Sequence, residues 1–298
     1  MLIVIEATGQ IISAAQIIAA TLRTDMVPVP VSLELSVQST PELDTAITLG
    51  ATLLVGDPAI AVIIVKVLPI TTQSIKEGRK VGGISCTAVL FGCQRMIEPT
   101  NRAIILSNTS FAEIFRACGC RLAVELDLPV SSFVCLRGQI PTTLIAKALQ
   151  QESAVMFLRQ GRLVFWRVSE LLKEPPLLRY DPSAVQWEDN PVVLAKSKIS
   201  FFSVALDGST IERPTPTASR PVSYYPKLSE RQLMNLEKVL IRRGTMLRPM
   251  DQRLNAGVVL HIEDQVYVVL TAAHHFASGA LGGASAMATK IWFANLEK

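Results

Sequence analysis

Two adjacent histidines, His274 and His275, close the apolar run Val269-Leu270-Thr271-Ala272-Ala273, and of all residues here they are the best placed for chemistry. An imidazole in that position could act as a general base. Nucleophilic catalysis would then need a serine beside it and an acid behind it to fix the tautomer. The nearest downstream serine context is Gly283-Ala284-Ser285-Ala286-Met287. It lacks the closing glycine and the strand-to-helix turn that expose a nucleophile. The segment from His275 to Lys298 is also too short for a further barrel to carry a more distant serine. A structural His274 is therefore expected, with a hydrolase using His274 and Ser285 as the alternative. A metal site built from His261, His274 and His275 meets a geometric objection, because adjacent side chains on a strand point to opposite faces. No catalytic, metal or cofactor residue is predicted.

The run Val269 to His274 is similar to the sequence around the catalytic histidine of trypsin-like proteases, but the missing serine and acid leave it a set of common residues at a strand end. Gly78-Arg79-Lys80-Val81-Gly82-Gly83 has glycine and lysine without the order of a phosphate-binding loop, and fits a turn between strands better. Asp57, Glu125, Asp127 and Glu152 show no spacing of a working carboxylate pair. The five cysteines (Cys86, Cys93, Cys118, Cys120, Cys135) form no C-x-x-C pair, and an odd count argues against a disulfide framework; buried, reduced thiols are expected.

Charge points the same way. Charged residues make up 18% of the chain and hydrophobic ones 49%. Ordinary soluble chains carry roughly 25% charged residues, so this surface is short of charge and suggests faces buried against partners. Residues 220–298 hold ten Lys/Arg against six acids, which accounts for the whole net charge of +4. A nucleic-acid face at Arg242 and Arg243 is one reading of that excess, and a solvated helix is the other. The apolar start, Leu2 to Leu22, has no basic residue before Arg23 and carries Gly9, Gln10, Ser13 and Gln16, so it reads as buried strand and helix rather than a leader or a membrane span.

The elements that would position these groups are mostly strands. Val29 to Val37 alternates apolar and polar without a fault, as a half-buried antiparallel strand does. Ala51–Val55 is a short apolar run ending at Gly56-Asp57-Pro58, and Ala59–Leu68 reads as a strand buried on both faces. Gln73–Lys80 reads as an exposed loop and Val81–Cys93 as a further strand. The pattern then changes. Ser110 and Glu113 make a capping box for a helix with Phe111, Ile114, Phe115 and Cys118 on its buried side and Gly119 as its stop. Pro141 opens a second helix, and Ala154–Leu158 with Leu163–Val168 form a hairpin turning at Arg159-Gln160-Gly161-Arg162. A short helix begins at Ser169, and Glu174-Pro175-Pro176 is a linker. Beyond it, Val192–Ala195 and Ile199–Leu206 read as strands, and residues 212–226 as a long surface loop. Ser229 and Gln232 box the start of a helix whose stripe is Leu233, Leu236 and Leu240 and whose end is Arg242-Arg243-Gly244. Gly257–Ile262 with Gln265–Thr271 form a hairpin, and Lys290–Leu296 a last strand. The predicted fold is a β-rich α+β chain: two small tube-like β-barrel domains, residues 1–100 and 181–298, with an α/β unit inserted at 101–180.

Two stretches carry a family resemblance. One runs from Gly138-Gln139-Ile140-Pro141 through Gln150-Gln151-Glu152 to Arg159-Gln160-Gly161-Arg162-Leu163-Val164-Phe165. The other runs from Leu228-Ser229-Glu230-Arg231-Gln232-Leu233 through Gly257-Val258-Val259 to His274. Together they resemble the baseplate hub proteins of tailed, contractile phages, which are related in fold to the spike base of type VI secretion systems; the N-terminal part matches by strand pattern only. The resemblance implies a non-enzymatic virion protein of the tail baseplate, assembled in the host cytoplasm. It implies a homotrimer whose duplicated β-domains adapt a hexameric tail tube to a trimeric central spike. Its partners would be the tube, spike and wedge proteins and a tape-measure protein. DNA would pass through the lumen without specific binding, and the chain would enter no membrane. A hub or tail-tip role in a non-contractile tail is left open.

Overall fold

A computed structural model describes residues 1–76, 79–188, 199–205, 207–214, 221–279 and 284–296. Thirteen strands among these residues join in one sheet. Its order is Gln186–Trp187, Leu240–Pro249, Ser285–Leu296, Gln265–Ser278, Ile17–Asp25, Val31–Gln38, Arg79–Leu90, Ile60–Lys76, Thr52–Val55, Ile3–Ile5 and Gln10–Ile11. Val259–Ile262 pairs with Gln265–Ser278 and carries Leu178–Tyr180 in parallel on its other side. The last strands thus pass directly into the first, through antiparallel pairing of Thr271 with Asp25 and His274 with Leu22.

The alternating strand forms as its pattern dictates: Val31, Leu33, Leu35 and Val37 are buried and Glu34 is exposed. The strand after it in the sheet order differs from expectation. Ile60–Lys76 buries Val62 and Ile64 while Ile63 and Val65 are half-buried, so only one face meets the core. Gln73–Lys80 is also no simple loop. The strands continue to Lys76 and resume at Arg79, extending the hairpin well past the neighbouring strands. The N-terminal segment contains strands and no helix among the described residues, because Ile17–Asp25 finds pairing partners on both sides.

Residues 104–171 build two smaller sheets packed with helices. Ile104–Ser110 pairs with Pro129–Cys135 as a two-stranded ribbon, and Ala154–Arg159 pairs with Arg162–Arg167, with Val124–Leu126 alongside. Gln160 and Gly161 take the positive φ values, 48° and 76°, that a two-residue hairpin turn of this hand requires. The helix Phe111–Ala117 is capped by Ser110 Oγ, which accepts from the Glu113 amide at 3.3 Å. The other half of the expected box is diverted, since the Glu113 carboxylate accepts from the Thr109 hydroxyl at 2.7 Å. Gly119, at φ +95°, stops the chain in the left-handed conformation. Phe165 sits between Phe111, stacked at 5.3 Å, and Phe115, edge-on at 5.0 Å. All three belong to one apolar cluster that runs back through Cys93 and Met96 to Ile3 and Leu35 in the main sheet. A second cluster, around Tyr267, Phe293 and Leu254, lies under the C-terminal strands.

The largest departure from the sequence pattern follows Ser229. Both bonds of its capping box form, and Leu228 packs with Leu233 and Leu236. The helix then ends at Leu236, and Leu240–Pro249 is a strand. Leu240, Arg242 and Arg243 are therefore strand residues, not the end of a helix. Val239-Leu240-Ile241 is as compatible with a strand as with a helix, and pairing of Leu240 with Leu296 and Ile241 with Asn295 decides it. Gly244 falls at a register shift, where a side chain would lie 2.8 Å from the Gln186 carbonyl. The segment 212–226 is likewise not all loop: Thr210–Arg213 and Val222–Tyr224 flank Ser200–Val204 in a small sheet. The expected strand Val192–Ala195 lies outside the described residues.

Candidate functional site

His274 is 2% exposed. Its Nδ1 lies 2.9 Å from Thr289 Oγ1 on the neighbouring strand, and its Nε2 lies 3.4 Å from Asn255 Oδ1. Thr289 Oγ1 also accepts from the Asp251 amide at 2.9 Å. The hydroxyl proton is then free to point at Nδ1, which leaves the ring proton on Nε2, facing an oxygen that can only accept. Burial holds the His274 pKa below its ordinary 6.5, opposed by the negative Asp251 nearby. A neutral imidazole with its proton on Nε2 and its Nδ1 already bonded is a structural crosslink between strands. The Asp251 carboxylate meanwhile is held by the Arg253 guanidinium at 3.0 and 2.9 Å, which lowers its pKa.

Among the described residues no serine is hydrogen-bonded to this ring. Ser285 pairs with Ser278, four positions along the strand from His274, roughly 13 Å at the usual rise. The carboxylate nearest along the adjoining strand, Asp25, pairs with Thr271 and accepts from Thr271 Oγ1 at 2.5 Å and from Arg23 at 3.1 Å. It fixes the sheet, not the imidazole. A cavity of about 220 Å³ opens beside His274, lined by Thr24, Asp57, Gln252 and Asn255 together with apolar side chains. It brings no nucleophile to the ring.

His275 points the other way, with Nδ1 2.9 Å from Thr21 Oγ1. His261 pairs with Val266, far down the same hairpin, so the three histidines do not converge. No three His, Cys, Asp or Glu side chains among the described residues form a metal-binding group. All five cysteines are buried and free. Cys93 and Cys120 lie 3.9 Å apart, sulfur to sulfur; that contact and burial raise the Cys93 thiol, and burial pushes Cys86 up to about 12. Arg242 pairs with Glu188 at 2.5 Å and Arg243 donates to Asn295 at 2.8 Å, so both guanidinium groups are engaged within the fold.

The strongest buried electrostatic group was invisible in the linear pattern. Glu152, 1% exposed, closes the helix Pro141–Gln151 and receives both nitrogens of Arg231, at 2.5 and 3.0 Å. Gln232 adds a bond at 3.4 Å, and Arg167 approaches at 3.8 Å while donating to the Glu152 carbonyl at 3.3 Å. Asn235 donates to the Gln151 carbonyl at 3.0 Å. This group ties the end of the helix Pro141–Gln151 to the helix Glu230–Leu236, whose residues are 79 positions away at Arg231. A bidentate carboxylate–guanidinium pair satisfies both oxygens, which is the condition for burying the charge.

The arrangement thus holds elements together. The same fold occurs in phage tail proteins. The tail protein from Neisseria meningitidis MC58 matches with TM-score 0.64 and 12% identity, over 99% of this chain and 95% of that one. The prophage MuSo2 43 kDa tail protein from Shewanella oneidensis matches with TM-score 0.65 and 11% identity, over 99% and 98%. A chain of the half-lidded Francisella PdpA–VgrG complex shares the fold at TM-score 0.54 and 9% identity, over 99% of this chain but 57% of that one. No protein-family model and no curated protein matches the sequence. The resemblance carried by Gly138–Phe165 and Leu228–His274 is therefore met at the level of fold. Among the described residues no helix is long and apolar enough to cross a membrane.

Proposed function

We propose that this chain is a non-enzymatic structural subunit of a phage tail, a baseplate hub that assembles as a trimer and adapts a hexameric tube to a trimeric spike. The observation that carries the reading is the match of fold over nearly the whole chain, and nearly the whole of each neighbour, to tail proteins. The duplicated plan, residues 1–100 and 181–298 around an insertion at 101–180, is supported by two long hairpins. Ile60–Lys76 with Arg79–Leu90 and Gln265–Ser278 with Ser285–Leu296 each anchor one half of the sheet.

Sheet edges supply the means of assembly. Thr52–Val55 covers only Ile60–Ile63 of its long neighbour, and Gln186–Trp187 covers only Gly244 and Thr245 of Leu240–Pro249. Beyond those pairs Ile64 is bonded by Gly50 and Ala51 and Arg243 by Glu188; among the described residues no strand pairs with the rest of either edge, and Leu68 is 50% and Leu247 68% exposed. Unpaired edges at opposite ends of one sheet favour head-to-tail contact between copies, which closes into a ring when the rotation permits. Partners above and below the ring would be the tube and spike proteins, with wedge and tape-measure proteins at its margin, in the tail of the virion.

Sedimentation and light scattering test this directly. The wild-type chain is expected to form a trimer, alone or with its spike, and Leu68→Lys or Leu247→Lys to shift it toward monomer. A stable monomer that joins neither tube nor spike overturns the reading.

A further inference from the structure

Cys93 and Cys120 are the only cysteines among the described residues that are hydrogen-bonded to each other, sulfur to sulfur at 3.9 Å. Each lies just past the end of a regular element. Cys93 follows the strand Arg79–Leu90 and precedes the short 3-10 turn Gln94–Met96. Cys120 follows the helix Phe111–Ala117 and its left-handed stop at Gly119. The two turns pack against each other: a Cβ at Gly92 would lie 3.6 Å from Leu122 Cγ, and one at Gly119 3.2 Å from Arg95 Cδ. Residues 27 positions apart in the chain are thus held with their sulfurs in contact.

The pair is unequal. Either sulfur could donate in that contact, but the Leu122 amide donates to Cys120 and makes it the acceptor. The bond from the Cys93 thiol, aided by that amide, lowers the Cys120 pKa against the effect of burial, and the same contact raises Cys93. The first proton therefore leaves Cys120, and a thiolate is the form of cysteine that reacts. Cys135 has the contrary arrangement: its thiol donates to the Leu136 and Gln139 carbonyls, and burial raises it. Burial also pushes Cys86 and Cys118 up to about 12. Cys93 and Cys120 are buried, yet they lie at shallow depth. Gly119 and Arg121, on either side of Cys120, are exposed, and Gly119 lines a groove of about 650 Å³ with Arg95 and Cys118.

We propose that Cys93 and Cys120 are a two-cysteine oxidation site, which a small peroxide converts to a disulfide between the strand Arg79–Leu90 and the helix Phe111–Ala117. The Cys120 thiolate attacks one peroxide oxygen, the O–O bond breaks, and hydroxide leaves to take up the proton that Cys120 lost. The Cys93 sulfur then attacks the sulfenic acid on Cys120; the S–O bond breaks, and the hydroxyl leaves with the Cys93 proton. Two thiols and one peroxide become one disulfide and two waters. A disulfide needs its sulfurs about 2 Å apart, so each must move about 1 Å, within reach of rotation about its Cα–Cβ bond. Neither cysteine belongs to a helix or strand, so small backbone adjustments there break no ladder. Oxidation at this pair is independent of any role in a tail.

In the test, the full chain is treated with hydrogen peroxide, free thiols are blocked with iodoacetamide, and the digest is mapped by mass spectrometry. A Cys93–Cys120 crosslink is expected, reversed by dithiothreitol, with free Cys120 lost at least about tenfold faster than free Cys86. In Cys93→Ala a sulfenic acid should persist on Cys120 and be trapped by dimedone. In Cys120→Ala the Cys93 thiol should stay unlabelled. Where a variant does not fold, the wild-type chain in denaturing urea takes its place. Unfolding removes the pairing geometry, so crosslinks should then spread over all five cysteines. Absence of a crosslink in the folded chain, the same spread with and without urea, or a crosslink dominated by Cys118 or Cys135 overturns the proposal. So does dimedone on Cys93 in Cys120→Ala.

Discussion

Glu152 and His274 are both almost wholly buried, and the molecule treats them in opposite ways. Glu152 is surrounded by cations and amides and joins segments far apart in the chain. His274 is surrounded by a hydroxyl and an amide oxygen, with its pKa lowered, and crosslinks neighbouring strands. A charge is tolerated inside only when partners replace the water it loses; without them the group gives up its charge. The contrast separates two kinds of buried polar contact, one that joins elements far apart in the chain and one that stiffens a sheet. Neither is a catalytic constellation, because each polar atom already faces a partner with no reacting atom between.

Removing the cation should produce the largest effect. Arg231→Met leaves the Glu152 carboxylate buried with Gln232 and a distant Arg167, and breaking such a pair from one side costs about 3 kcal/mol. Urea unfolding of Arg231→Met, Glu152→Met and the double variant checks this. The double variant should recover part of the loss, since it leaves no unpaired buried charge. Additive losses would show that the pair does not hold the boundary. Packing at a second boundary is tested by Gly257→Ala. Gly257 has φ +86°, and a Cβ there would lie 2.5 Å from the ring of Phe157 in the inserted hairpin. Strain and overlap together should cost about 2 kcal/mol. Combining it with Phe157→Leu should lower the cost if overlap dominates, and leave it unchanged if the backbone conformation does.

The neutral member of the comparison makes its own prediction. The folded pKa of His274 lies below 6.5, so between that value and 6.5 the unfolded chain binds a proton that the folded chain does not. Its share of stability is whole above pH 6.5 and is lost as pH falls toward the folded pKa, with a slope approaching about 1.4 kcal/mol per pH unit. His274→Gln should be less stable at neutral pH and should lack that part of the slope. An unchanged slope in the variant would mean that another group titrates.

Most of what was legible in the sequence was local. The alternation of Val31–Val37, the box of Ser229 and Gln232, and the turn at Gln160-Gly161 each lie within a few residues and formed as read. The helix beyond Leu236 did not form, because Leu240 and Ile241 suit either element and a distant strand, Ser285–Leu296, was waiting to pair with them. Gln73–Lys80 looked like a loop because its run of polar residues gives no strand alternation, yet strands run to Lys76 and resume at Arg79. The Glu152 group had no signal at all, since its partners are 79 and 80 residues away. For His274, the sequence counted against a catalytic partner by what was missing around Ser285 and left the hydrolase as the alternative. Only the structure supplied Thr289 and Asn255, which show what the ring does instead.

The smallest expected effect concerns the hydrolase alternative. Ser285 is exposed at the first position of its strand, paired with Ser278 and far from the imidazole. Among the described residues no base is hydrogen-bonded to its hydroxyl, so it should react no faster than a free serine. Ser285→Ala should change stability by less than ~0.5 kcal/mol, the ordinary range for an exposed site without special contacts. An organophosphonate that labels activated serines should leave the wild-type chain unmodified by mass spectrometry. Stoichiometric labelling lost in both Ser285→Ala and His274→Gln would require the strand ends to move together, and would restore the catalytic reading of His274.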